Sequence, residues 1–253
     1  MNFIDSNRTM VGAFRRKISM STQNFGRKVS QMQHILSFMG HANQPEYQLL
    51  YLNLRGKGEP IRLFFKYFNI EFTDEKQDYN NYKNVKDTPP LPKMPRLIVN
   101  GEFEVNYTSC ILQYLAEKHG LLPKTAEDRA LANVWGVRLN DYLNQMRPWF
   151  YCFLYDNLRP LLEERIESVY KAAVLEDFAV MLQRQLETTK SGFLVGNELS
   201  YIDFYAAHLT DLCLTYGPKE SLKDFPVLLQ HHKKIYSLPE LQEYLKNRPE
   251  HDF

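Results

Sequence analysis

The sequence predicts a small α/β unit followed by an all-helical one. Three observations carry that expectation. Short aromatic-rich runs bounded by turn residues occupy positions 47–105, Asn100-Gly101 separates two of them, and helical periodicity begins near position 126 and continues almost to the end. At 253 residues the chain suits one large domain or two small ones, and it can bury a sizeable core without disulfides or metals.

The elements of the first unit follow in order. Tyr47 through Leu52 is short, apolar and aromatic, so it reads as a strand. Asn53 through Gly58 forms a turn-rich loop. Glu59 and Pro60 suit the first turn of a helix, where the missing proline N–H costs nothing, and Ile61, Phe64, Phe65 and Phe68 then recur at helical spacing. Ile70-Glu71-Phe72 reads as a second strand. Residues 78–93 are polar and contain Pro89, Pro90 and Pro92, which predicts a loop with at most a short helix. Arg96 through Val99 is the third strand, Asn100-Gly101 the strongest hairpin signal of the chain, and Glu102 to Val105 the fourth strand. Thr108 to His119 carries Ile111, Leu112 and Leu115 at helical spacing, with Gly120 as its stop. The order is βαβ, a loop, then ββα. Met94-Pro95 precedes the third strand, where a cis-proline would expose backbone groups to a ligand.

The second unit reads as helices at about 126–154, 160–190, 201–216, 225–236 and 238–247. Pro148 should kink the first of these or force an irregular last turn. Ser200 and Asp203 form a capping-box variant, with Leu199 and Phe204 as its hydrophobic staple, so both polar residues are read as structural. Gly192 through Gly196 is an apolar loop that should pack inward.

Charge divides the chain differently. The formal net charge is +1. Residues 1–44 hold Arg8, Arg15, Arg16, Lys17, Arg27 and Lys28 against Asp5 alone, giving +5 and leaving −4 for the other 209 residues. This segment reads as a basic, disordered extension, followed by an α/β domain at 45–122 and a helical domain at 125–253. Its Arg-rich, acid-poor composition is also that of a mitochondrial transit peptide, which sets a mitochondrial location as the alternative to a cytoplasmic one. The three cysteines are far apart, which fits a reducing compartment better than a disulfide scaffold. No apolar run approaches a membrane span, and nucleic-acid binding has only the basic extension in its favour.

Several chemistries lack their motifs. Gly56-Lys57-Gly58 alone builds no P-loop, and there is neither H-E-x-x-H nor G-x-S-x-G. His231 and His232 are neighbours, which on a helix point too far apart to share a metal, so no metal is expected. No C-x-x-C follows the first strand, which argues against dithiol redox chemistry.

Four segments together resemble the cytosolic glutathione transferases, most closely the sigma-like class that includes many nematode enzymes and the glutathione-dependent prostaglandin D synthases. They are Tyr47 through Gly56, Lys93-Met94-Pro95, Asp141-Tyr142 with Arg147-Pro148-Trp149, and Gly192 through Asp203. The resemblance spans roughly residues 46–249. It implies a thioredoxin-like N-terminal domain, an all-α C-terminal domain, a homodimer, and glutathione as co-substrate in the detoxification of small electrophiles.

The resemblance also implies roles. Tyr51 matches the tyrosine that hydrogen-bonds the glutathione sulfur. Arg55 matches the arginine of the first loop, Lys57 replaces what is often a second arginine or a small residue, Tyr82 and Lys86 fall at the glycyl end, and Lys93, Met94 and Pro95 match the peptide flank. Thr108 falls on the serine that holds the γ-glutamyl carboxylate, and Asp141 on the acid that reaches the partner subunit's peptide. Leu54, Trp149, Phe150 and Phe153 would line the electrophile pocket. Two positions depart from the pattern: Tyr107 stands where the family has glutamine, and Tyr82 where the class has tryptophan. Tyr107 lacks an amide's paired donor and acceptor. That departure motivates a non-catalytic alternative, beside a glutathione-dependent isomerase acting on prostaglandin-like peroxides.

Overall fold

The computed structural model describes residues 45–77 and 93–248. Expectations for residues 1–44 and for the loop that carries Tyr82 and Lys86 lie outside the described residues. Residues from Glu46 onward form one compact unit.

Its sheet begins with β1, Tyr47–Leu52, whose side chains alternate as a half-buried strand requires. Tyr47, Leu49 and Tyr51 point into the core, so Tyr51 is the last inward residue before the chain turns. Helix α1, Glu59–Tyr67, follows with Pro60 in its first turn. Strand β2, Thr73–Gln77, pairs parallel with β1, while β3, Arg96–Val99, and β4, Phe103–Asn106, complete an antiparallel edge in the order β2-β1-β3-β4. Asn100 and Gly101 both take positive φ, as a two-residue hairpin turn demands. Helix α2, Thr108–His119, closes this half and ends at Gly120 with φ of 85°.

Two strand expectations shift. The second strand is polar Thr73–Gln77, three residues beyond the apolar run 70–72. Ile70 donates its N–H to the Phe65 carbonyl and Phe72 stacks on Phe65, so these apolar residues close the exit of α1. An edge strand needs only ladder partners, which β1 supplies from Gln48 to Leu52. The fourth strand starts one residue later than expected, because Glu102 completes the turn with an N–H bond to the Val99 carbonyl.

The helical half opens with α3, Ala126–Leu154, capped by the Thr125 hydroxyl on the Asp128 amide. The helix runs on through Pro148 for a further turn and more. The single helix expected at 160–190 is instead segmented. A 3-10 stretch, Asp156–Leu161, leads into α4, Leu162–Arg165, a π-wound run, Ile166–Phe178, and α5, Ala179–Thr189. Tyr170, Ala173, Val174 and Phe178 of the π-wound run are buried, and Tyr170 packs against Trp149 of α3. Helix α6, Tyr201–Tyr216, is the buried centre, and α7, Pro226–Tyr236, packs on it. A 3-10 turn, Pro239–Leu241, and α8, Gln242–Asn247, replace the continuous last helix.

The Ser200–Asp203 capping box is present at the start of α6. Asp203 is fully buried and also accepts the Leu194 amide at 2.7 Å and His231 Nε2 at 2.9 Å. Its carboxylate therefore ties the inward-packed 192–196 loop and α7 to α6, as a buried charge requires. Among the described residues no helix is long and apolar enough to cross a membrane.

Candidate active site

A cleft of about 1040 Å³ separates the sheet half from α3. Its sheet-side wall is built from Tyr51 through Leu54, Gly56, Lys57, Lys93 to Pro95, Tyr107 and Thr108. The helical wall is a stripe along α3 and just beyond, comprising Asn140, Leu143, Asn144, Arg147, Phe150, Tyr151, Leu154 and Tyr155.

Tyr51 reaches the cleft because β1 ends there with an inward residue. The residue is 6% exposed, and its Oη accepts the Lys57 backbone N–H at 2.8 Å. The loop carrying Lys57 is pinned from several sides. Arg62 donates to the Leu54 carbonyl at 3.0 Å, His208 Nε2 lies 2.8 Å from the Gly56 carbonyl oxygen, and Thr108 Oγ1 donates to the Lys57 carbonyl at 2.8 Å. Gly56 and Gly58 permit this packing: a Cβ on Gly56 would stand 2.7 Å from Tyr51 Oη, and one on Gly58 2.6 Å from Tyr51 Cδ1. Gly56 also has φ of +33°, a region L side chains rarely adopt.

The cleft is cationic. Lys57 Nζ donates to the side-chain oxygens of Asn140 at 2.9 Å and Asn144 at 3.0 Å. Burial, then repulsion from Arg147 and Lys93, pushes the Lys57 ammonium down to about 8, with Asp141 opposing. A cation held by neutral amides in this setting gains from an incoming anion. Met94-Pro95 is cis, and both residues lie on the cleft surface just ahead of β3. Tyr107 is 46% exposed at the rim, with φ of 67°, immediately before the first turn of α2. The first amides of that helix have no intrahelical acceptor, so the wall offers N–H donors beside Thr108.

Not every expected residue reaches the cleft. Arg55 is only 9% exposed and does not line it; its guanidinium lies 3.9 Å from Asp211, beside Arg248. Asp141, expected to serve the partner subunit's peptide and not this cleft, is exposed on α3 outside the lining. Of the electrophile-pocket residues, Leu54 and Phe150 line the cleft, whereas Trp149 is fully buried against Phe150 and Tyr170, and Phe153 packs on Tyr216. Sequence reasoning missed Asn140, Asn144, Arg147, Tyr151, Leu154 and Tyr155. Asn140, Asn144, Arg147, Tyr151 and Leu154 recur at i, i+4, i+7, i+11 and i+14 along α3, with Tyr155 just past its end, so the helical period held the signal. His208 carried no such signal, being a lone histidine in an apolar helix. Among the described residues no group of three or more His, Cys, Asp or Glu side chains could hold a metal ion.

Comparison with known proteins fits this geometry. Residues 141–248 match the family described as glutathione S-transferase, C-terminal domain. Glutathione S-transferase 4 of Caenorhabditis elegans is 32% identical over 210 residues, covering 81% of this chain and 97% of the relative. Human hematopoietic prostaglandin D synthase is 26% identical over 208 residues, covering 81% and 98%. A monomeric glutathione S-transferase of the hookworm Necator americanus superposes with a TM-score of 0.71 at 28% identity, covering 82% of this chain and all of that one. The chain belongs to the glutathione S-transferase family.

Proposed function

We propose that this transferase binds glutathione along the sheet-side wall and uses the Tyr51 hydroxyl to hold its sulfur as a thiolate. The observation that carries this is the Tyr51 phenol at the cleft surface, fixed by the Lys57 amide at 2.8 Å. A free thiol has a pKa of about 8.5, so little is ionised at neutral pH without such a donor. Accepting the Lys57 N–H draws electron density from the phenol oxygen and strengthens it as a donor to sulfur. Lys57, Lys93 and Arg147 supply positive charge for a peptide with two carboxylates. The first amides of α2 suit one of those carboxylates, and the Met94 backbone before cis-Pro95 suits the cysteinyl amide. Thr108 contributes by position more than by its hydroxyl, which is committed to the Lys57 carbonyl.

In the reaction the thiol gives up its proton to solvent, the sulfur lone pair forms the S–C bond, and the electrophile accepts the displaced electron pair or releases its leaving group. The apolar electrophile sits against Leu143, Phe150, Tyr151, Leu154 and Tyr155. Calorimetric titration with glutathione tests the reading, with one peptide bound per chain as the expected result. Absence of both binding and turnover with a generic electrophile would favour the non-catalytic alternative that Tyr107 motivates.

The homodimer is part of the same proposal. Leu131, Val134 and Val137 form an exposed apolar stripe on α3, with Val137 at 62%, and Phe103 of β4 is 50% exposed. A stripe of this kind on a long helix is suited to a second copy. Light scattering distinguishes a dimer from a monomer such as the hookworm relative. A cytoplasmic location accompanies the proposal.

A further inference from the structure

We infer that His208 is a positioning residue for Tyr51, acting through the single peptide group between Gly56 and Lys57. The inference rests on the reading of Tyr51 as the thiolate-stabilising hydroxyl. The Gly56 carbonyl and the Lys57 N–H belong to one amide plane. On one side of it, His208 Nε2 stands 2.8 Å from the carbonyl oxygen; on the other, the N–H donates to Tyr51 Oη at 2.8 Å. A carbonyl oxygen only accepts, so Nε2 carries the hydrogen, and Nδ1 is the bare nitrogen, without a hydrogen-bond partner among the described residues. Donation onto an amide oxygen increases the amide's polarity and makes its N–H a stronger donor. The chain of dipoles runs from imidazole to peptide to phenol, and its last member faces the cleft. His208 is fully buried, and burial pushes its imidazole down to about 4, which keeps it neutral during turnover.

The charged groups around these two residues are Glu59 of α1, Asp211 of α6 and Arg248 near His208. Around Tyr51 they are the Arg62 guanidinium, 6.0 Å from the ring centre, and Lys57 with its neighbours Lys93, Arg147 and Asp141. Substituting His208 removes none of these groups.

The test is the pH titration of thiolate absorbance in the enzyme–glutathione complex. His208→Leu keeps apolar bulk but removes the donor, and its thiolate midpoint should rise by about half a pH unit, roughly a threefold loss of thiolate near neutrality. His208→Gln, which keeps an amide donor, should recover part of that shift. In a Tyr51→Phe background the His208→Leu shift should vanish, since no hydroxyl remains to receive the effect. An unchanged midpoint with activity lowered equally at every pH would overturn the inference and leave a structural role. If Tyr51→Phe itself fails to move the midpoint, the Tyr51 reading falls and this inference falls with it. If Tyr51→Phe moves it and His208→Leu does not, the inference alone fails. A measurement free of folding effects is histidine ¹⁵N resonance in the unsubstituted protein, where His208 should be protonated at Nε2; protonation at Nδ1 would overturn the relay.

Discussion

The two walls of the cleft are made in different ways. The sheet-side wall is largely backbone: a cis peptide, a peptide group bonded on both sides, two glycines pressed against a phenol, and the first turn of a helix. Its fixing bonds are buried or half-buried, and each constrains the same few atoms around Tyr51. The helical wall is a row of side chains on one face of α3, partly open to solvent, where Asn140 and Asn144 accept from Lys57 of the opposite wall and Arg147 donates to Asn144. Chemistry common to many substrates belongs on the first wall, where geometry is rigid. Choice among substrates belongs on the second, where a side chain can change without moving the backbone.

The sharpest break of that contrast is Tyr51→Phe. Loss of one preorganised donor should lower turnover with a generic electrophile by on the order of 10²–10³ while electrophile KM changes little. Steady-state kinetics at saturating glutathione measures it, and unaltered kcat would remove Tyr51 from catalysis.

Next in size is the acid stability of the rigid wall. The His208 imidazole is held near 4 in the fold, against an ordinary value of 6.5. Below 6.5 the unfolded chain takes up the proton first, so stability should fall by about 1.4 kcal/mol per pH unit and by roughly 3 kcal/mol by pH 4. Urea unfolding at several pH values reads this slope, and His208→Leu should flatten it. Asp211, held down to about 2 chiefly by its His232 and Arg248 partners despite the opposing effect of burial, adds its own loss only below its ordinary range.

Gly58→Ala should cost about 1–3 kcal/mol, because the new methyl meets Tyr51 Cδ1 at 2.6 Å and the phenol cannot retreat without leaving the Lys57 amide. Thermal unfolding and kcat should decline together. On the opposite wall, Leu154→Ala should raise KM for an apolar electrophile by about tenfold and leave glutathione affinity as it was. An equal effect on glutathione would erase the division of labour between the walls.

The smallest effect concerns the link between them. Lys57 loses its proton near pH 8, so affinity for S-methylglutathione, which has no thiol to ionise, should weaken severalfold as pH rises through that value. Lys57→Met should bind more weakly at neutral pH and show a flat profile there in calorimetry.

Much of the fold was legible because its signals are local. The short apolar, aromatic run Tyr47–Leu52, the Asn100-Gly101 turn, Pro60 in a first turn, Gly120 after α2 and the Ser200–Asp203 cap each act over a few residues, and each appears as expected. Strand β2 was misplaced because an edge strand is selected by its partner's ladder and not by its own polar side chains. Of the expected residues, Tyr51, Leu54, Lys57, Lys93, Met94, Pro95, Tyr107, Thr108 and Phe150 line the cleft. Trp149 and Phe153 seemed suited to the pocket by type alone, and the rotation of α3 sends them inward and brings Asn140, Asn144 and Arg147 to the cleft.

By itself, then, the sequence determined most of the strands, turns and capped helices, β2 and the segmented 156–189 stretch excepted, together with the family they compose, because those depend on neighbours along the chain. The tertiary structure alone decided that Arg55 pairs with Asp211 away from the cleft, that two asparagines hold Lys57, and that His208 meets the Gly56 carbonyl across 152 positions. Contacts of that span carry no local signature. They exist only once the core has set the helices against the sheet and left each buried polar atom to find its partner.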